Sequence, residues 1–263
     1  MARLYIFLLM VFPSTMVVGA VGAAGSPAGL VGAAAFFLWL VSSLMGLHDP
    51  LARRNPTRGA LFTLWILSLI SYVVFNLGQH TATVVNGADR WLLQLACWTG
   101  VALVIAECLD SMDAIRKVQR ALVTGGAFCG FVAALHYWIG IDLVPTLRSV
   151  PGFTNTYELS GSATRNGLTR VTGTTLTSIE LGVVSAMILP LAAHLVFYDV
   201  ARRRRVRWVM LAFVAVGVPV AVSRSSVIAV LISMGVFIAL LPPRQRVAGL
   251  GAMPMAVLAV FMF

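Results

Sequence analysis

The chain has 263 residues, of which 59% are hydrophobic and only 11% charged, and it carries a net charge of +10. Mean hydropathy is +0.92. This composition excludes an ordinary soluble domain and is that of a polytopic membrane protein. The positive charge is not a nucleic-acid signature either, because most of it lies in short gaps between apolar runs, where it orients spans and meets anionic headgroups.

In chain order the apolar runs are Leu4–Ala24, Ala28–Leu47, Ala60–Leu77, Trp91–Leu109, Ala121–Ile141, Leu176–Tyr198, Trp208–Val222, Ser225–Leu241 and Val247–Phe263. Most approach the roughly 20 residues that a helix rising about 1.5 Å per residue needs to cross a bilayer. Helices are the only open-ended structures that satisfy their backbone groups in lipid. The expected fold is therefore all-α: one transmembrane bundle over residues 1–263, with about nine spans. The first run, opened by Arg3, also has the look of a cleavable signal peptide. Its length favours a retained span. The last run ends in apolar sequence with no closing polar segment, which suggests a fragment.

The 19 basic residues fall unevenly among the gaps. Arg3, then Arg53, Arg54 and Arg58, then Arg116, Lys117 and Arg120, then Arg202 to Arg205 with Arg207, and finally Arg244 and Arg246 occupy alternate gaps. Lys and Arg beside spans are retained on the cytoplasmic side. The pattern predicts a plasma-membrane protein with a cytoplasmic N-terminus. The other gaps hold only Arg90, Arg148, Arg165, Arg170 and Arg224. Tyr5, Trp91, Tyr137, Trp138, Tyr198 and Trp208 lie near the predicted interfaces, as membrane aromatics do.

Residues 142–175 form the one long outer segment, polar and broken by Pro145 and Pro151. It leads into Thr177-x-x-Glu180, the pattern of a capping box opening a helix. Later, only Ser223–Arg224–Ser225 separates two short apolar runs, so Arg224 is expected at or below the headgroup level. An arginine there costs about 2.5 kcal/mol or more on insertion scales and ordinarily has a partner or a task. The alternative is an arginine that snorkels to lipid phosphate. Ser225 and Ser226 add hydroxyls and N–H groups at a helix start, a natural anion site.

Arg165 and Arg170 flank Asn166 and Gly167, and a guanidinium fork suits diphosphate oxygens. Solvated arginines or salt bridges to Asp142 and Glu158 are the plainer reading, and Arg148 reads as an interface residue. Glu180 has a structural role as the capping partner, and His136 and His80 are weak candidates for a proton acceptor. Glu107 is expected to pair with Arg116 or Lys117. Cys97, Cys108 and Cys129 lie inside apolar runs and read as packing residues. The sequence holds no HExxH, CxxC, Gly-rich nucleotide loop or outward carboxylate pair. It thus points away from metal-dependent and nucleotide-driven chemistry.

From Arg170 to Ile232 the chain resembles the O-antigen ligase and polymerase superfamily of bacterial membrane glycosyltransferases. The resemblance is carried by Arg170 ahead of Gly173 and Thr174, and two spans later by Ser223, Arg224 and Ser225. It implies a fold of the GT-C type. The implied activity is metal-independent, cofactor-free glycosyl transfer from an undecaprenyl-diphosphate-linked glycan at the outer face of the inner membrane. In that scheme Arg170 and Arg224, supported by Arg165, hold the donor diphosphate, and the acceptor stays open. Ligases of this family carry a further large outer loop with an important histidine, placed beyond the point where this chain ends. Neither His136 nor His80 matches that motif, so the role is not carried over. The alternatives are a flippase for lipid-linked oligosaccharide and a non-catalytic membrane subunit.

Overall fold

The computed structural model describes residues 1–13, 15–18, 25–47, 55–78, 81–109, 111–155, 163–165, 168–199, 202–242 and 246. The described residues are mostly helical. Among them, five helices, Pro27–Leu44, Pro56–Asn76, Ala82–Cys108, Met112–Ile139 and Ser178–Tyr198, are long and apolar enough to cross a membrane.

The first helix, α1 (Ala2–Val11), is only 10 residues long. At about 1.5 Å per residue it covers about half of a hydrocarbon core. It does not run on to Ala24 as the apolar stretch suggested. Pro13 follows at once and has no N–H to continue a helical ladder, and Met16–Val18 is a strand, β1. The run Val247–Phe263 lies outside the described residues.

The contacts divide the chain into two compact units. One comprises Met1–Leu8 and Val17–Val118, with α2 (Pro27–Leu44), α3 (Pro56–Asn76) and α4 (Ala82–Cys108). Ser26 caps α2 by accepting the Gly29 N–H at 3.1 Å, and Asn55 caps α3 through the Thr57 N–H at 3.0 Å. Helices α2 and α4 meet backbone to backbone: a Cβ on Gly100 would stand 2.3 Å from the Phe36 nitrogen. Small residues at such crossings give membrane helices the close packing that lipid-like side chains cannot. Helix α3 buries none of its residues. It exposes Phe62, Ile70 and Val74, as suits a helix solvated by lipid.

At the end of α4, Glu107 accepts from the Arg58 Nε and from the Trp39 Nε1, the latter at 2.7 Å. The expected pairing with Arg116 or Lys117 is replaced by this contact with α3 and α2. The Glu107 carboxylate is only 3% exposed, so it takes the partners that the α2–α4 packing brings to it.

The second unit comprises Leu9–Met16 and residues 119–263. Its frame is the part of α5 (Met112–Ala134) from Gln119 onward, continued by a π turn over Leu135–Ile139, with α7 (Ser178–Tyr198), α8 (Arg204–Val220) and α9 (Arg224–Leu240). Between α5 and α7 lie the short helix α6 (Val144–Arg148) and strands β2 (Phe153–Asn155), β3 (Ala163–Arg165) and β4 (Leu168–Arg170). Glycines set the packing here as well. A Cβ on Gly130 would stand 2.0 Å from the Phe213 carbonyl oxygen, and one on Gly182 would stand 1.8 Å from the Ser226 Oγ. Neither α8 nor α9 exceeds 17 residues, about 25 Å of helix, somewhat under the roughly 30 Å hydrocarbon thickness.

Polar bonds mark one end of this unit. Arg120 grips Asp199 with two bonds of 2.9 and 2.8 Å, Arg202 reaches the Thr124 Oγ1 at 3.1 Å, and Arg207 donates to the Val196 carbonyl at 2.7 Å. This is the end that carries the dense arginine cluster of the chain. The opposite end holds the π turn, α6, the short strands, the start of α7 and the α8–α9 hairpin. Arg170 and Arg224 belong to it.

Candidate functional site

The α8–α9 hairpin is made by a strained turn. Pro219 accepts the Val222 N–H at 2.9 Å, and Val222 takes φ +44°, in the left-handed region. A β-branched residue is rarely found there, at a cost on the order of 1–2 kcal/mol. The turn lets α9 start at Arg224, directly after the Ser223 cap. Arg224 and Ser225 are exposed. Arg224 has no hydrogen bond or ion pair among the described residues.

Ser226 stands differently from its sequence neighbour. It is 0% exposed, its N–H donates to the Ser223 carbonyl at 3.2 Å, and its Oγ is pressed against Gly182 of α7 without a hydrogen-bond partner. The open part of the helix start is thus Arg224 with Ser225, and Ser226 belongs to the packing.

Arg170 closes β4, which pairs antiparallel with β3 so that Ala163 faces Arg170 and Arg165 faces Leu168. Its Nε is buried and has no partner. The segment that follows is pinned. Val171 is fully buried, Gly173 takes φ +55°, and a Cβ at that glycine would approach the Cys129 carbonyl to 3.1 Å. Thr174 donates its hydroxyl to the Met10 carbonyl at 2.8 Å and lies 3.0 Å from the Cys129 Sγ. The Arg165 side chain, Asn166, Gly167, Glu158 and His80 lie outside what the structure describes.

The described carboxylates of this end, Glu180 and Asp142, are engaged elsewhere. Glu180 accepts the Leu176 N–H at 2.9 Å, and its own N–H donates to the Thr177 Oγ1 at 3.2 Å. This is a capping box in which Glu180 reaches the N–H one residue before the Thr177 cap. Asp142 accepts the Val144 N–H at 2.9 Å and lies 3.9 Å from the Nδ1 of His136, which sits in the π turn. Arg170 and Arg224 therefore have no carboxylate partner among the described residues. Two contacts connect their surroundings: Gly173 meets Leu181, and Ser226 meets Gly182. The loop bearing Arg170 and the hairpin bearing Arg224 both rest on the opening turns of α7.

The sequence ranked Arg148 below the other arginines, yet its Nε too is buried without a partner. No sequence signal marks that burial. The Arg120–Asp199 pair was also missed, although Asp199 is the one acid beside the arginine cluster, and that could have flagged it. No group of three His, Cys, Asp or Glu side chains assembles among the described residues.

These features define a helical, membrane-embedded protein whose second unit braces its arginine-dense end internally and, at the other end, presents arginines without counter-charges among the described residues. No family model, curated protein or solved structure matches the chain.

Proposed function

We propose that the chain acts on undecaprenyl-diphosphate-linked glycans at the outer face of the plasma membrane, in the manner of O-antigen ligases and polymerases. The supporting observation is that, among the described residues, no carboxylate meets Arg170 or Arg224, which share one end of α7. Guanidinium groups held near hydrocarbon without a counter-charge are costly, and a lipid diphosphate supplies the missing charge. Its oxygens match the planar fork of arginine, and charge-assisted bonds of this kind are about twice as strong as neutral ones. Fixed guanidinium groups also stabilise the charge that develops on the diphosphate as the glycan leaves it.

The test is binding in nanodiscs. A fluorescent undecaprenyl-diphosphate disaccharide should bind the purified chain, and the same disaccharide on undecaprenol without phosphate should bind at least roughly tenfold more weakly, the loss of one charge-assisted contact. Equal affinities would remove the diphosphate from the reading. Binding accompanied by movement of the donor between leaflets, without transfer to an acceptor, would select the flippase alternative.

A further inference from the structure

A groove of about 370 Å³ opens at the arginine-dense end of the second unit, between α7 and α9. Its apolar part is formed by Leu191, Phe237 and Leu240, and its polar part by Gln119, His194 and Tyr198. The polarity is graded along α7. Pro190 and Leu191 lie deepest, His194 follows one turn later, and Tyr198 ends the helix, about 12 Å from Pro190 by helical rise. The His194 ring packs on Tyr198 with centroids 4.9 Å apart, and its Nδ1 is buried with no hydrogen-bond partner.

The rim is cationic. Arg246 donates from Nε to the carbonyl of Leu241 at 2.6 Å, and Leu241 lines the groove. Arg246 caps the helix end through a neutral carbonyl, so its charge is not cancelled by this bond. The nearby carboxylate of Asp199 is taken by Arg120.

We propose that this groove is a binding site for one anionic glycerophospholipid. An acyl chain would fill the apolar floor, the ester region would meet His194 and Gln119, and the phosphate would lie against Arg246 at the rim. The order of cation, polar group and apolar floor matches the order of phosphate, ester and acyl chain along the lipid. A zwitterionic lipid offers the same chain and esters, but its own cation repels the rim. Basic recesses between membrane helices are a recurrent setting for anionic headgroups. The site is independent of the diphosphate reading, since it lies at the other end of α7.

Native mass spectrometry of the full chain released from detergent tests this, with phosphatidylglycerol and phosphatidylcholine of identical chains added separately. One phosphatidylglycerol should be retained, at least about tenfold more tightly than phosphatidylcholine, a margin set by one charge-assisted contact. Leu191→Trp, which fills the floor, should abolish that retention, and Arg246→Gln should erase the preference between lipids while leaving chain binding in place. His194→Leu gives a milder variant in case Leu191→Trp fails to fold, and it should weaken retention of both lipids. Equal retention of the two lipids by the unmodified chain, or phosphatidylglycerol binding untouched by both Arg246→Gln and His194→Leu, would overturn the site.

Discussion

At the scale of single residues, the account depends on the geometry of arginine as well as its charge. Arg170 and Arg224 are proposed to make paired bonds to diphosphate oxygens, and an ammonium on a flexible stem cannot reproduce that fork. Arg224→Lys should therefore recover little of the donor binding lost in Arg224→Gln, whereas an arginine that only anchors the hairpin would tolerate lysine. Titration of both variants with the fluorescent disaccharide distinguishes the two. The buried contact of Glu107 with Arg58 and Trp39 makes a separate prediction about stability. Glu107→Leu removes the carboxylate that a partly buried guanidinium and an indole N–H both use as an acceptor, so unfolding in detergent should become easier by about 3 kcal/mol. The sequence did show Glu107 as a carboxylate near a basic loop. Its partner could not be read there, because Arg58 arrives from another helix through packing that no local pattern encodes.

At the scale of elements, the long helices were largely legible. The runs Ala60–Leu77 and Leu176–Tyr198 lie close to α3 (Pro56–Asn76) and α7 (Ser178–Tyr198), because a span of about 20 apolar residues is a length signal as well as a polarity signal. Helix α1 was misjudged because hydropathy ignores Pro13, whose missing N–H outweighs the apolar residues beyond it. The capping residues Thr177 and Glu180 were readable from a local rule, and both make bonds of that kind. The glycine crossings were not, since a membrane helix is apolar all round and no periodicity shows which face meets a neighbour. They are nevertheless testable. Gly100→Ile would drive a side chain into the α2 backbone, where even a Cβ would stand 2.3 Å from the Phe36 nitrogen. Gly59→Ala has nothing within 4 Å of the new carbon. Size-exclusion chromatography in mild detergent should show aggregation or loss of the first variant and an unchanged profile for the second.

For the whole molecule, the uneven arginines were the most informative part of the sequence. They anticipate that Arg202, Arg207 and Arg120 share one end of the second unit, where bonds to Thr124, Val196 and Asp199 now place them. They also led to Arg224, but not to the burial of the Arg170 and Arg148 Nε atoms, which is set by tertiary packing that no local pattern encodes. The expected sidedness rests on the same charges. With the native cysteines replaced, a membrane-impermeant maleimide added outside intact cells should label Ser149→Cys and spare Ser111→Cys, two exposed positions on opposite predicted faces. The central claim is that the arginines at the sparse end hold a diphosphate while those at the dense end do not. Donor affinity of Arg224→Gln beside Arg204→Gln, measured in nanodiscs with the undecaprenyl-diphosphate disaccharide, tests it most directly. Arg204 opens α8 and is exposed, so it controls for loss of charge alone. The account predicts that Arg224→Gln weakens binding at least roughly tenfold, the loss of one charge-assisted contact, while Arg204→Gln leaves it nearly unchanged. Small and equal effects at the two positions would contradict it and reduce Arg224 to a membrane anchor.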